Sequence, residues 1–118
     1  KDWHLLSISF DPGFDTPEIL KKYSKVFSAD LKKWSFATGN TSIIDETISK
    51  FGIIVRRQKV SVTDWDHNLR TVIVDPNGII QTIYIGNMWA SEKLVQDIKK
   101  TANKVLIRNQ KLMRNILL

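Results

Sequence analysis

The chain has 118 residues with 18 Lys and Arg against 12 Asp and Glu, a formal net charge of +6 and no cysteine, which is enough chain for one domain with a core of its own. Its longest apolar runs are four or five residues, which excludes a membrane-spanning helix of about 20 apolar residues. Without cysteine, these residues can form no disulfide framework, Cys-ligated zinc site, dithiol centre or cysteine nucleophile. The charge is also uneven. Residues 1–92 balance to zero, and the whole excess lies in residues 93–118, where Lys93, Lys99, Lys100, Lys104, Arg108, Lys111 and Arg114 face one anion, Asp97.

Residues 3–10 form a short apolar and β-branched run closed by the turn cluster Asp11, Pro12 and Gly13, which reads as a buried strand. Thr16, Pro17 and Glu18 then supply a cap, a first helical residue and an acid in the first turn. The helix they open places Ile19, Leu20, Tyr23, Val26 and Phe27 on one face. Residues 34–37 read as a second strand. Residues 42–51 read as a second amphipathic helix carrying Ile43, Ile44, Thr47, Ile48 and Phe51, stopped by Gly52. Residues 53–62 are β-prone around a polar centre and suggest an exposed hairpin or edge.

After the polar stretch 63–68, two strands over 69–74 and 79–85 flank Asp75, Pro76, Asn77 and Gly78, a strong hairpin signal. Ser91 is expected to cap a final helix. Unbroken to residue 117, that helix would be about 40 Å long at 1.5 Å per residue, more than a core of this size needs. Strands alternating with helices point to parallel pairing, with an antiparallel hairpin before the last helix.

Ile8, Ser9, Phe10, Asp11, Pro12, Gly13, Phe14, Asp15, Thr16, Pro17, Glu18 and the helix through Tyr23 resemble the signature of the Sco/SenC family, a strand followed by D-P-x-x-D-T-P-E and an amphipathic helix. Asp66 and His67, the hairpin over 71–78 and the final helix follow in the family's order, so the resemblance spans residues 3 to about 100. It implies an α/β thioredoxin-like fold, with a central mixed sheet flanked by helices. It also implies an exported, membrane-tethered protein, periplasmic or in the mitochondrial intermembrane space, that binds copper and acts on the copper-site subunit of cytochrome c oxidase. The family holds copper with two cysteines of a C-x-x-x-C motif and one histidine. Of these only the histidine has a counterpart here, His67.

On this reading residues 1–105 are a thioredoxin-like domain lacking its first βα unit, and residues 106–118 are a basic amphipathic extension of the last helix. Copper is the implied cofactor, although the chain alone lacks the thiolates that Cu(I) prefers. Two alternatives use the same fold: a non-catalytic interaction module, or a peroxidase with its cysteine upstream. The C-terminal extension is suited to a membrane surface or a protein partner. Nucleic acid ranks last, because no aromatics interleave the cations.

Other residues have local readings. His4 is expected to be a structural histidine in or at the edge of a strand. A hard-metal cluster of His4, His67, Asp64 and Asp66 lacks any supporting ligand spacing. Asp11 and Asp15 are expected to serve a turn and a helix start rather than acid–base chemistry. Trp34 reads as core or strand, Trp89 as an anchor before the last helix, and Trp65 as a loop aromatic beside His67.

Overall fold

The structure, a computed structural model, describes residues 3–56 and 66–117. The described elements run β1 (Leu5–Ile8), α1 (Pro17–Val26), β2 (Trp34–Ala37), α2 (Thr41–Ser49), β3 (Val55–Arg56), β4 (Asp66–His67), β5 (Arg70–Val74), β6 (Ile80–Ile85) and α3 (Ser91–Leu117). They fall into two units, Lys1–His67 and Asn68–Leu118. The described strands form three two-stranded ladders, β1 with β2, β3 with β4 and β5 with β6.

In the first unit, β1 and β2 are parallel, with Leu5 opposite Trp34 and Ile8 opposite Ala37. The crossover is α1. Thr16 Oγ1 accepts from Ile19 N at 3.4 Å, and Pro17 takes the first helical turn. Of the expected apolar face, Tyr23 and Phe27 meet β2: their rings lie 4.8 Å apart, Tyr23 is edge-on to Phe36 at 6.0 Å, and Trp34 stacks on Phe36 at 4.8 Å. Trp34 also donates its indole N–H to Ser7 Oγ across the ladder at 2.9 Å. Val26 remains 77% exposed.

The second helix begins one residue earlier than its apolar spacing suggests, because Asn40 is the cap; its Oδ1 accepts from Ser42 N at 2.9 Å. Its inward side is Ile44 and Ile48, both buried, while Ile43 is 62% exposed. The expected strand segment at residues 60–62 lies outside the described residues.

In the second unit the expected hairpin forms. Asp75 Oδ1 accepts from Asn77 N at 2.8 Å and Ile79 N at 3.0 Å, and Gly78 takes the positive φ of +78° that the turn needs. The register passes from Ile73↔Thr82 to Val74↔Ile80, so Gln81 is the extra residue of a bulge. Its side-chain amide donates to Asp75 Oδ2 at 3.0 Å, which completes the turn.

Tyr84 and Thr82 are half-buried on one face of β6, whereas Ile83 and Ile85 on the other are 46% and 72% exposed. The last helix starts at Ser91, with Ala90 in the capping position and its carbonyl accepting from Lys93 N and Leu94 N. The expected serine cap is thus displaced by one residue. Trp89 does anchor this junction: its indole N–H donates to Gly86 O at 3.1 Å and its ring lies 5.4 Å from Tyr84.

Helix α1 ends where Ala29 N bonds back to Ser24 O and Ser28 N to Lys25 O, a terminus that drives Ser28 to φ 49°. A serine Cβ is strained in this left-handed region and glycine is not. The Ser28→Gly substitution is expected to raise unfolding stability by about 0.5–1 kcal/mol, seen as a higher urea midpoint at unchanged slope.

Candidate functional site

His67 is the last residue of β4. The polar stretch around it reads as a loop in the sequence, yet Asp66 and His67 pair antiparallel with β3, opposite Arg56 and Val55. A backbone ladder fixes the position of the His67 Cα more tightly than a loop would. The chain then passes through Asn68 and Leu69 directly into β5, and Leu69 O accepts from Gly86 N at the end of β6. Trp65 and Asp64 lie outside the described residues.

His4 is exposed, not buried, and its Nε2 lies 2.7 Å from Ser35 Oγ on the neighbouring strand. Beside it Trp3 is covered on one face by the Lys33 ammonium, 5.5 Å from the ring centre. This is a structural histidine at a strand end. Among the described residues no three His, Cys, Asp or Glu side chains gather as a metal group.

The two aspartates of the signature do local work. Asp11 O accepts from Phe14 N at 3.1 Å and Asp15 N at 2.8 Å, which closes the turn. Ser9 ties the end of β1 to the start of α1: its Oγ accepts from Asp11 N at 3.0 Å and donates to Asp15 Oδ2 at 2.5 Å. Glu18 is held below the usual carboxylate range by its own backbone N–H and then by the Thr16 hydroxyl. Asp11 through its backbone and Asp15 through its carboxylate thus brace a strand-to-helix turn.

The least legible cluster centres on Asp97, buried in the first half of α3. Tyr84 donates its hydroxyl to Asp97 Oδ2 at 2.6 Å, Lys93 pairs with the same oxygen, and Lys100 Nζ stands 3.7 Å from Oδ1. Hydrogen bonding to Lys93, then to Tyr84, holds the Asp97 carboxyl low, and the same contact with Asp97 pushes the Tyr84 phenol up to about 12. A signal existed: Asp97 is the lone acid among seven cations. Its partner thirteen residues away was not legible.

The model of the SCO1/SenC family matches residues 1–103. The chain belongs to the SCO1/SenC family. It is 37% identical over 75 residues to an SCO2-like protein of Rickettsia typhi, an alignment covering 60% of this chain and 36% of that protein. Among solved structures, a SCO1/SenC family lipoprotein from Bacillus anthracis superposes with TM-score 0.73 at 28% identity, over 86% of this chain and 61% of the other.

ScoI of Bradyrhizobium japonicum, solved with copper bound, superposes with TM-score 0.63 at 23% identity, over 81% of this chain and 60% of that one. The fold is thus the thioredoxin-like Sco fold. The SCO1/SenC chain described here spans about a third of the Rickettsia relative's length. Its soft donors are two methionines, of which Met88 is 96% exposed. Cu(I) favours thiolates, so these 118 residues do not by themselves fit a Sco copper site.

The Tyr84–Asp97 contact has a pH signature of definite sign. A phenol whose pKa is raised in the folded state stabilises the fold fully below its unfolded value of 10.0, and that contribution is lost as pH climbs through about 12. Asp97, depressed when folded, contributes above its unfolded value of 3.8 and stops as pH falls through the lower folded value. In a Tyr23→Phe background, phenolate absorbance is expected to titrate near 12 and to return toward 10.0 on Asp97→Asn. An unmoved titration would remove Asp97 as the cause.

Proposed function

We propose that this chain is the histidine-bearing part of a Sco-type copper protein acting in assembly of the cytochrome c oxidase copper site. His67 supplies the imidazole ligand, and the two thiolates come from outside these 118 residues. The observation that carries the reading is the family match over residues 1–103, in a family of cytochrome c oxidase assembly proteins with copper-bound members. The β3–β4 ladder supports it, because it sets His67 on regular backbone three residues before β5.

The chemistry divides between ligand types. Thiolates supply most of the affinity for soft Cu(I), and an imidazole adds a borderline donor that also suits Cu(II). The same reading puts the protein outside the cytoplasm and tethered to a membrane, and the similarity to a Bacillus anthracis protein described as a lipoprotein supports it. No described helix is long and apolar enough to cross a membrane, so the tether also comes from outside the described residues.

A second reading, an interaction module on the same fold, is favoured by the open aromatic side of α1, where Tyr23 and Phe27 are 51% and 52% exposed and Val26 more so. The residues encoded upstream of Lys1 separate these two readings from each other and from a thiol peroxidase. A C-x-x-x-C motif supports copper chemistry, a single cysteine favours a thiol peroxidase, and none favours the module.

The ligand role is tested on the protein expressed from its entire reading frame. Its His67→Ala variant is expected to lose more Cu(II) affinity than the ~10–100-fold that an outer-shell partner is worth, measured by chelator competition. Nitrogen hyperfine coupling should vanish from the Cu(II) resonance spectrum. Unchanged affinity and an unchanged spectrum would remove His67 from the ligand set.

A further inference from the structure

Helix α3 continues without a break from Ser91 to Leu117, and every residue from Leu106 to Arg114 is exposed. Within this stretch Leu106, Ile107, Leu112 and Met113 are each half or more open, at 50%, 56%, 51% and 57%. At helical spacing, half-buried Val105 joins Leu106, Leu112 and Met113 in one stripe about 120° wide, and Ile107 alone falls outside it. At the same spacing Arg108 lies about 40° beyond one border of the stripe, Lys104 and Lys111 about 80° and 100° beyond it, and Arg114 about 80° beyond the other, so the cations fill the polar side. No acid follows Asp97, and Asp97 is already engaged by Lys93, Lys100 and Tyr84.

We propose that residues 104–117 dock on the surface of an anionic lipid bilayer, the apolar stripe sinking to the acyl boundary while the flanking cations meet lipid phosphates. Charge complementarity selects this occupant. A second copy packed through the same stripe would bring the four cations of this stretch, Lys104, Arg108, Lys111 and Arg114, against the same four, with no acid after Asp97 on either helix to pair them. A plane of anionic headgroups supplies the counter-charge that a second copy lacks, and an in-plane amphipathic helix needs only a stripe, not an apolar cylinder. The same helix is too polar to span the bilayer. The docking does not use His67 and stands whether or not copper is bound.

The test is sedimentation of the full 118-residue chain with vesicles of phosphatidylcholine alone or of phosphatidylcholine mixed with phosphatidylglycerol. Residues 1–92 have no net charge, so general attraction by the body of the chain is small. The chain is expected to sediment with the anionic vesicles only, and less as salt rises. The Arg108→Glu, Lys111→Glu double variant changes the charge by four units and should weaken partition by nearly three orders of magnitude, given about fivefold per unit charge. Leu106→Asp with Leu112→Asp keeps every cation and should also lose most binding, which separates docking from simple adsorption.

These side chains are exposed, so neither variant threatens the fold. Equal sedimentation of the chain and both variants, binding to neutral vesicles, or no binding at all would overturn the proposal. So would Leu112-dependent self-association in sedimentation equilibrium without vesicle binding, which would assign the stripe to a second copy.

Discussion

Two parallel strands cannot be joined by a tight turn; the chain must cross back over the sheet, and a helix is the usual way to keep that path hydrogen-bonded. In residues 3–56 most of the structure follows from this constraint. The path from β1 to β2 is α1, and the signature turn before it exists to start that helix at the right angle, with Ser9 bonded to both Asp11 and Asp15. The aromatic side of α1 then lies over Phe36 and Trp34. Parallel strands are ordinarily covered on both faces, yet Leu6 is 60% exposed and Leu5 37%. Among the described residues the ladder is thus covered by α1 through the aromatic side chains of β2 and stays open at the leucines of β1.

The second unit repeats this one-sidedness with antiparallel strands. The hairpin is apolar on both faces, but Tyr84 and Trp89 meet the base of α3 on one of them, and Ile83 and Ile85 stay open on the other. Asp97 decides how α3 is held. Its carboxylate takes the Tyr84 hydroxyl and two ammonium groups, so the first turns of the helix are tied down while the cations beyond it have no counter-charge in the helix. The acid that anchors α3 is also the last one in the chain, so the far half of the helix is purely cationic.

What was legible in the sequence was what is settled within four or five residues. Thr16 and Pro17 start α1 as their chemistry dictates, and Asp75 and Gly78 close the hairpin. The misreadings have local causes too. Asn40 competes with Ser42 for the cap of α2, and its side chain accepts from both the backbone and the hydroxyl of that serine. Ile43 and Ile44 are adjacent on the helix, and periodicity alone does not say which turns inward. The strand at His67 is not legible in the sequence because β4 is two polar residues whose strand state comes from pairing with Val55 and Arg56, not from their own propensity. The Tyr84–Asp97 bond joins residues thirteen apart on different elements, and only packing creates it.

The donor inventory binds these observations to function. A thioredoxin-like frame that carries a histidine in a ladder and no thiol offers soft Cu(I) a borderline imidazole and, among its sulfurs, only two thioethers. Each unit also leaves apolar surface open among the described residues, Leu6 on β1 in the first and Ile83 and Ile85 on β6 in the second, although strands that apolar are ordinarily covered.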